Sequence, residues 1–291
     1  MGKAMQKLAV VVGVVALLVT SAVPAVATSE GHSYLALGDS VAFGTNPLLD
    51  RSHASNFTGY PEIVAETLNI EDVNASCPGE ATGGFISATG LDNVCRPYRA
   101  RFPLHVAYTG TQLAYAVNYL KNTRSTRLVT LNLDANDAFR LAAGPGPDVW
   151  PPSTCFTSDV QLYFSTCAVQ NLETIFGALR DTGYSGLIVA LTYYAIDYRI
   201  PSGAQFLNSA MQTAASRHNV LVASGFDAWK PAAMAAGGSS CAAGLLIALP
   251  SGGCDIHPSV KGRALLAEAI VNTIAATCPG DVKGCLNRQP H

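Results

Sequence analysis

Short extended runs alternate with longer segments of helical spacing from residue 34 to the C-terminal region. Residues 34–37, 72–76, 127–133, 186–193 and 220–223 are brief, mostly apolar or β-branched runs that predict strands. Residues 60–69 place Ile63, Val64 and Leu68 on one side of a helix, behind Pro61 at its start. Residues 109–121 carry the stripe Leu113, Ala116, Val117 and Leu120, and residues 161–181, 204–218 and 259–276 have the same periodicity. Residues 144–152 (GPGPDVWPP) read as a loop. This strand–helix rhythm predicts an α/β fold, a parallel sheet with helices on both faces and functional residues at the carboxyl ends of the strands. With no internal repeat and no linker, residues 28–291 are expected to form one domain.

The first residues follow another pattern. Lys3 and Lys7 precede the uncharged apolar run 8–22, and Pro24 leads into Ala25-Val26-Ala27. These are the parts of a signal peptide spanning residues 1–27, so a secreted, extracellular protein cut after Ala27 is expected. The apolar run is nearly long enough to cross a bilayer, which makes an uncleaved anchor the alternative. Charged residues make up only 13 % of the chain, and 18 basic groups face 20 acidic ones. A mildly acidic chain without a basic stripe argues against nucleic acid as a partner.

All eight cysteines lie beyond the signal segment, and an even count behind an export signal implies disulfides. Connectivities number on the order of a hundred. Short spacings favour neighbour pairing: Cys77 with Cys95, Cys155 with Cys167, Cys241 with Cys254, Cys278 with Cys285. No zinc spacing of the C-x-x-C type is present, and no metal is expected.

Four stretches bear chemistry. In 34–44 (YLALGDSVAFG), Gly38 breaks the first strand and Ser40 follows it. In 74–80 (NASCPGE), Gly79 follows the second strand and can turn its N–H into a cleft. In 131–138 (LNLDANDA), Asn136 follows the third strand, where a side-chain amide can donate to a developing oxyanion. In 253–258 (GCDIHP), His257 has Asp255 for company and Pro258 to fix its entry into the last helix. Taken singly, each also fits a plain structural role: turn, Asx cap or helix entry. Taken in order, they fall where a parallel sheet gathers its loops along one edge.

The whole of residues 28–291 resembles the secreted SGNH hydrolases, also called GDSL lipases/esterases. That resemblance implies a three-layer α/β/α sandwich with a five-stranded parallel sheet, the flavodoxin-like fold of that family. It also implies roles: Ser40 as nucleophile, His257 as base, and the Ser40 and Gly79 N–H groups with the Asn136 side chain as oxyanion hole. The implied function is a serine esterase or lipase that hydrolyses carboxylic esters through an acyl-enzyme. No cofactor is implied. The expected substrate is a small-molecule or lipid ester, with room for transient contact with a lipid surface, and a monomer is expected.

Two departures stand out. The family pattern Gly-x-Asn-Asp has Asp134 in place of its glycine, and the acid of Asp-x-x-His falls on Cys254. Asp255, two residues before His257, is then the candidate third member of the triad, with a backbone carbonyl as the alternative. The 144–167 segment, with Trp150, Phe156, Tyr163 and Phe164, is a candidate lining or cover for an acyl pocket, with a disulfide-stapled surface loop as the equal alternative. Residues 38–42 (GDSVA) nearly match the G-x-S-x-G elbow of α/β-hydrolases, but there the serine follows several strands, not the first. An acyltransferase using the same residues and a secreted binding module that has lost activity are the competing readings.

Overall fold

In the central strands β1 (Ser33–Gly38), β3 (Thr126–Asn132) and β4 (Leu187–Leu191), side chains on both faces are apolar. That is the pattern of a parallel sheet covered on both sides. A computed structural model, which describes residues 33–142, 159–278, 280 and 282–287, has this architecture. With β2 (Glu71–Asn74) and β5 (Leu221–Ala223), the strands form a parallel sheet in the order β2-β1-β3-β4-β5.

The period of two divides the core. Tyr34, Ala36, Leu128, Val189 and Leu191 face one side and pack with the helices Tyr60–Leu68, Gly225–Ala235 and Val260–Thr277. Leu35, Leu37, Val129, Leu131, Ile188 and Ala190 face the other, against Gln112–Asn122, Val169–Arg180 and Ser202–Ser216. The result is the expected three-layer α/β/α sandwich.

The strand order makes the chain change direction at β1. It passes first to β2 on one side and then back across to β3, so a crevice opens beyond the carboxyl ends of β1 and β3. Gly38 closes β1 at φ +140°, and a Cβ there would stand 2.2 Å from the Asn132 carbonyl oxygen. Only glycine lets the two strand ends approach so closely.

Several elements differ from the sequence pattern. The helix expected over 161–181 is present as one continuous helical run, Val160–Tyr163 and Val169–Arg180, with a π-type segment Phe164–Ala168 between them. Helix Gly225–Ala235 was hidden by Pro231 within it; buried Trp229 anchors it and Ser224 caps it by accepting from the Asp227 N–H. An antiparallel hairpin of β6 (Leu246–Ala248) and β7 (Cys254–Pro258) lies apart from the main sheet and carries Asp255 and His257.

The disulfides Cys77–Cys95, Cys241–Cys254 and Cys278–Cys285 are formed as the spacing suggested. Cys167 is disulfide-bonded, and Cys155 lies outside the described residues. The Cys241–Cys254 bridge ties the hairpin to the loop before it. Replacing both cysteines by serine should lower unfolding stability by about 2–3 kcal/mol, read from the shift of a urea midpoint. An unchanged midpoint would mean that the hairpin is held without the bridge.

Candidate active site

Asp39 begins the site. It caps the short helix Ser40–Phe43, its Oδ1 accepting from the Val41 N–H at 2.9 Å, and this cap holds Ser40 just beyond the end of β1. The Asp39 N–H donates in turn to the Asn132 carbonyl at 3.1 Å, joining the turns after β1 and β3. Asp39 Oδ2 accepts from Tyr193 Oη at 2.5 Å and from Asn136 Nδ2 at 3.0 Å. Complete burial pushes its carboxyl up to about 6, against the opposing pull of these donors, of which the Tyr193 hydroxyl is the strongest.

Asn136 lies in the first turn of helix Ala135–Ala142. Its Oδ1 accepts from Asn93 Nδ2 at 2.9 Å while its Nδ2 donates to Asp39. The two contacts set which end of the amide is oxygen and which is nitrogen, and leave one N–H of the NH₂ group over. Asn93 reaches Asn136 because the Cys77–Cys95 bridge draws its loop against the turn after β2. The N–H groups of Asn93 and Val94 both donate to the Gly79 carbonyl at 3.2 Å. Gly79 has φ +82°, and a Cβ would stand 2.1 Å from Val94 Cγ2, so this close approach needs glycine.

The hairpin supplies the histidine. Asp255 Oδ1 accepts from the His257 backbone N–H at 3.0 Å and lies 2.5 Å from His257 Nδ1. The contact with the His257 ring holds the Asp255 carboxyl below its usual range. Tyr194, at the end of β4, donates its hydroxyl to the Ile256 carbonyl at 2.7 Å. Its ring stacks on Trp229 at 3.7 Å, and Trp229 Nε1 donates to the Gly262 carbonyl. The histidine segment is thereby fastened to the sheet edge.

Ser40, Asn136 and His257 line one cavity of about 420 Å³, within the range of small-molecule sites. Among the described residues, His257 makes its ring contact with Asp255 and no hydrogen bond joins it to Ser40 Oγ, although both face this cavity. Gly79 is buried and is not among the lining residues. The rest of the wall is mostly apolar, with Phe139, Ile196, Ile200, Leu207 and Ile256 prominent. Tyr163 and Phe164, candidates for lining or covering a pocket, are instead buried in the core and do not line it. The Tyr163 hydroxyl donates to Asp137 Oδ1 at 2.5 Å, and Asp137 also receives the Thr82 N–H and hydroxyl. Trp150 and Phe156 lie outside the described residues.

Sequence reasoning missed Asp39, Asn93 and Tyr193 as site groups. Tyr193 had a signal, since it closes the strand-like run 186–193. Asn93 had a weaker one, two residues before a cysteine paired with Cys77.

Two other buried acids border the site. Glu80, next to Gly79, is pushed up to about 8 by burial and by Asp92. The nearby sulfurs of Cys77 and Cys95 are joined to each other, so this cluster offers no thiolate to a metal. Asp134 holds the position where the family pattern has glycine, and it does so at φ +104°. Neither of its carboxyl oxygens has a partner among the described residues. Burial, with Asp137 and Asp39 close by, pushes its carboxyl well above the usual range.

A raised folded-state pKa means that the native chain holds a proton the unfolded chain releases. Stability from that group is therefore present below about pH 4 and lost as pH rises beyond it. Asp134→Gly removes both the backbone strain and the buried carboxyl. It should stabilise by about 1–3 kcal/mol near pH 4 and by more at pH 8, measured from urea midpoints at each pH. A destabilised variant, or a gain that shrinks at high pH, would show that Asp134 has a compensating partner.

A family model described as GDSL-like Lipase/Acylhydrolase family matches residues 36–265. Among solved structures, the chain is similar to phospholipase A1 from Streptomyces albidoflavus NA297, with 18% identity, 84% of this chain and 99% of that one covered, and a TM-score of 0.54. It is also similar to a catalytic mutant of Axe2, an acetylxylan esterase from Geobacillus stearothermophilus, with 17% identity, 84% and 94% coverage, and a TM-score of 0.52. At these identities the likeness is one of fold. No curated protein matches the chain.

Proposed function

The chain belongs to the GDSL-like lipase/acylhydrolase family, and from that premise we propose that it is an exported serine esterase or lipase acting through an acyl-enzyme on Ser40. One observation carries the reading: Ser40, Asn136 and the Asp255-held His257 line a single, mostly apolar cavity. With Nδ1 of His257 engaged by Asp255, Nε2 is the nitrogen left to take a proton.

In the proposed reaction His257 Nε2 removes the Ser40 proton as Oγ attacks the ester carbonyl carbon. The electron pair displaced onto the carbonyl oxygen is met by the Ser40 N–H, the remaining Asn136 N–H and the Gly79 N–H. Gly79 joins this set by its place beside Asn93, since it is not a wall residue of the unliganded cavity. These donors are pre-set by Asp39, Asn93 and the Cys77–Cys95 bridge, so little reorganisation is required when charge develops. Collapse of the intermediate passes the His257 proton to the leaving alcohol. His257 then takes a proton from water as its oxygen attacks the acyl carbon, and on collapse of this second intermediate the carbon–Oγ bond breaks, His257 returns the proton to Ser40 Oγ and the carboxylic acid leaves. The steps need no metal or cofactor.

An apolar wall suits the acyl chain of a lipid ester better than an acetyl group, because it gains from burying hydrocarbon. The N-terminal signal pattern and the disulfides support export to an oxidising compartment.

Ser40→Ala should lower turnover of a soluble p-nitrophenyl ester by at least about a thousandfold with the thermal midpoint kept. Asn136→Ala should cost about 10²–10³ in kcat. Asp255→Asn should cost about 10²–10⁴, as when an orienting carboxylate is lost. Unchanged turnover in Ser40→Ala would remove the proposed nucleophile, and a parental rate in Asp255→Asn would pass the orienting role to another acceptor.

A further inference from the structure

A buried pair of side chains ties the end of β1 to the turn after β2. Gln112 opens helix Gln112–Asn122 and is fully buried. Its Oε1 accepts from the Gly38 N–H at 2.7 Å, and its Nε2 donates to the Gly38 carbonyl at 3.0 Å. One amide thus clasps both backbone groups of the last residue of β1. The same carbonyl accepts from the Cys77 N–H at 3.0 Å. Ser40 stands two residues beyond Gly38, and Gly79 two residues beyond Cys77.

Glu80, also buried, packs behind this clasp. Its Oε2 lies 3.5 Å from Gln112 Nε2 and 3.3 Å from Cys95 Sγ. Cys95 is bonded to Cys77 and has no proton to give, so a proton shared in that contact comes from the carboxyl. The other groups facing Glu80 are Asp92, Tyr108, and Arg96 and Arg99 on helix Cys95–Arg99. Both arginines are engaged elsewhere: Arg96 pairs with Asp92 at 3.4 Å, and Arg99 donates to the Gly110 carbonyl and lies over the Tyr108 ring. Burial and Asp92 outweigh the pull of Arg99, Gln112 and Arg96, and the carboxyl rises to about 8.

We propose that Gln112 and Glu80 are positioning residues for the oxyanion hole, which fix from behind the distance between the Ser40 and Gly79 N–H groups. The inference rests on the esterase reading, because only a developing oxyanion makes that distance matter. Asp39 joins the ends of β1, β3 and β4, and this pair adds the turn after β2. A neutral Glu80 leaves the Gln112 amide to Gly38. An ionised Glu80 draws Nε2 away from the Gly38 carbonyl and sets a negative charge one residue from Gly79, against the charge that develops there. Turnover should therefore fall as pH rises through about 8.

The test is the pH dependence of kcat and KM on a soluble p-nitrophenyl ester, for the full chain and two variants. In the parent, kcat should fall about tenfold across the alkaline range while KM stays within about twofold. Glu80→Gln keeps the size and is neutral at every pH. It should hold kcat at neutral pH within about threefold of the parent and abolish the alkaline fall. Gln112→Leu keeps the volume without the amide, and should lower kcat about tenfold or more with KM little changed. If that variant does not fold, Glu80→Gln decides alone. Urea midpoints give a readout free of turnover: relative to Glu80→Gln, the parent should lose stability as pH rises from about 4.5 to about 8, because the native chain holds a proton that the unfolded chain releases.

A parent without the alkaline fall, a fall that Glu80→Gln retains, parental kcat in Gln112→Leu, or a stability difference indifferent to pH would each overturn the positioning role. A merely structural pair would move the thermal midpoint and leave the pH profile of kcat alone. Turnover that survives Ser40→Ala would remove the esterase reading and this inference with it. Turnover that needs Ser40 but ignores both substitutions would remove the positioning role alone.

Discussion

The carboxyl group of Asp39 is the point on which the site depends. Through Val41 it caps the turn that presents Ser40; through Asn136 it reaches the turn after β3; through Tyr193 it reaches the end of β4. Three strand ends of a parallel sheet are thus joined by one side chain. Burial makes this expensive, since a buried acid without partners loses its hydration. Three donors around Asp39 offset that loss, and its carboxyl is raised only to about 6 despite full burial. The same contacts fix the Asn136 amide, so a residue with no charge of its own is oriented before any substrate arrives.

The histidine side has a separate support. His257 stands on a hairpin outside the sheet, closed by Cys241–Cys254 and fastened by Tyr194 to the stack on Trp229. Moving the acid to position 255 leaves position 254 free for that disulfide. Strand alternation places residues 255 and 257 on the same side of β7, and two residues are enough for the carboxylate to reach Nδ1 at 2.5 Å. The departure from the family spacing therefore preserves the contact. Asp134 is different: it sits in a conformation natural to glycine, with its carboxyl unpartnered, and nothing in the structure explains its presence.

Fold and site were legible in the sequence to different degrees. The five strands and the long helices were readable because a doubly covered parallel sheet forces continuous apolar runs, and helices on it must show a 3.6-residue stripe. That Ser40 and Asn136 meet was readable because strand order brings the loops after β1 and β3 to one edge, whereas His257, which reaches the same cavity from a hairpin outside the sheet, was singled out by the Asp255 beside it. The hairpin was not, because β6 and β7 are short and lie outside the repeating rhythm. Helix Gly225–Ala235 was masked by Pro231. The cavity wall was not readable: Tyr163 and Phe164 were candidates for pocket lining, for a cover or for a stapled loop, yet packing took them inward, and Phe139, Ile196 and Ile200 came together only through tertiary structure. Asn93 was hidden for the same reason, since only the Cys77–Cys95 bridge brings it to Gly79.

The most direct measurement is a crystal structure of the protein after reaction with an alkyl fluorophosphonate, whose tetrahedral phosphorus stands in for the carbonyl carbon of the intermediate. The account predicts a phosphorus–oxygen bond to Ser40 Oγ, one phosphoryl oxygen accepting from Asn136 Nδ2 while Asp39 still holds that amide, and the alkyl chain along Ile200 and Leu207. An unmodified Ser40, or an adduct whose phosphoryl oxygen points away from Asn136, would contradict it.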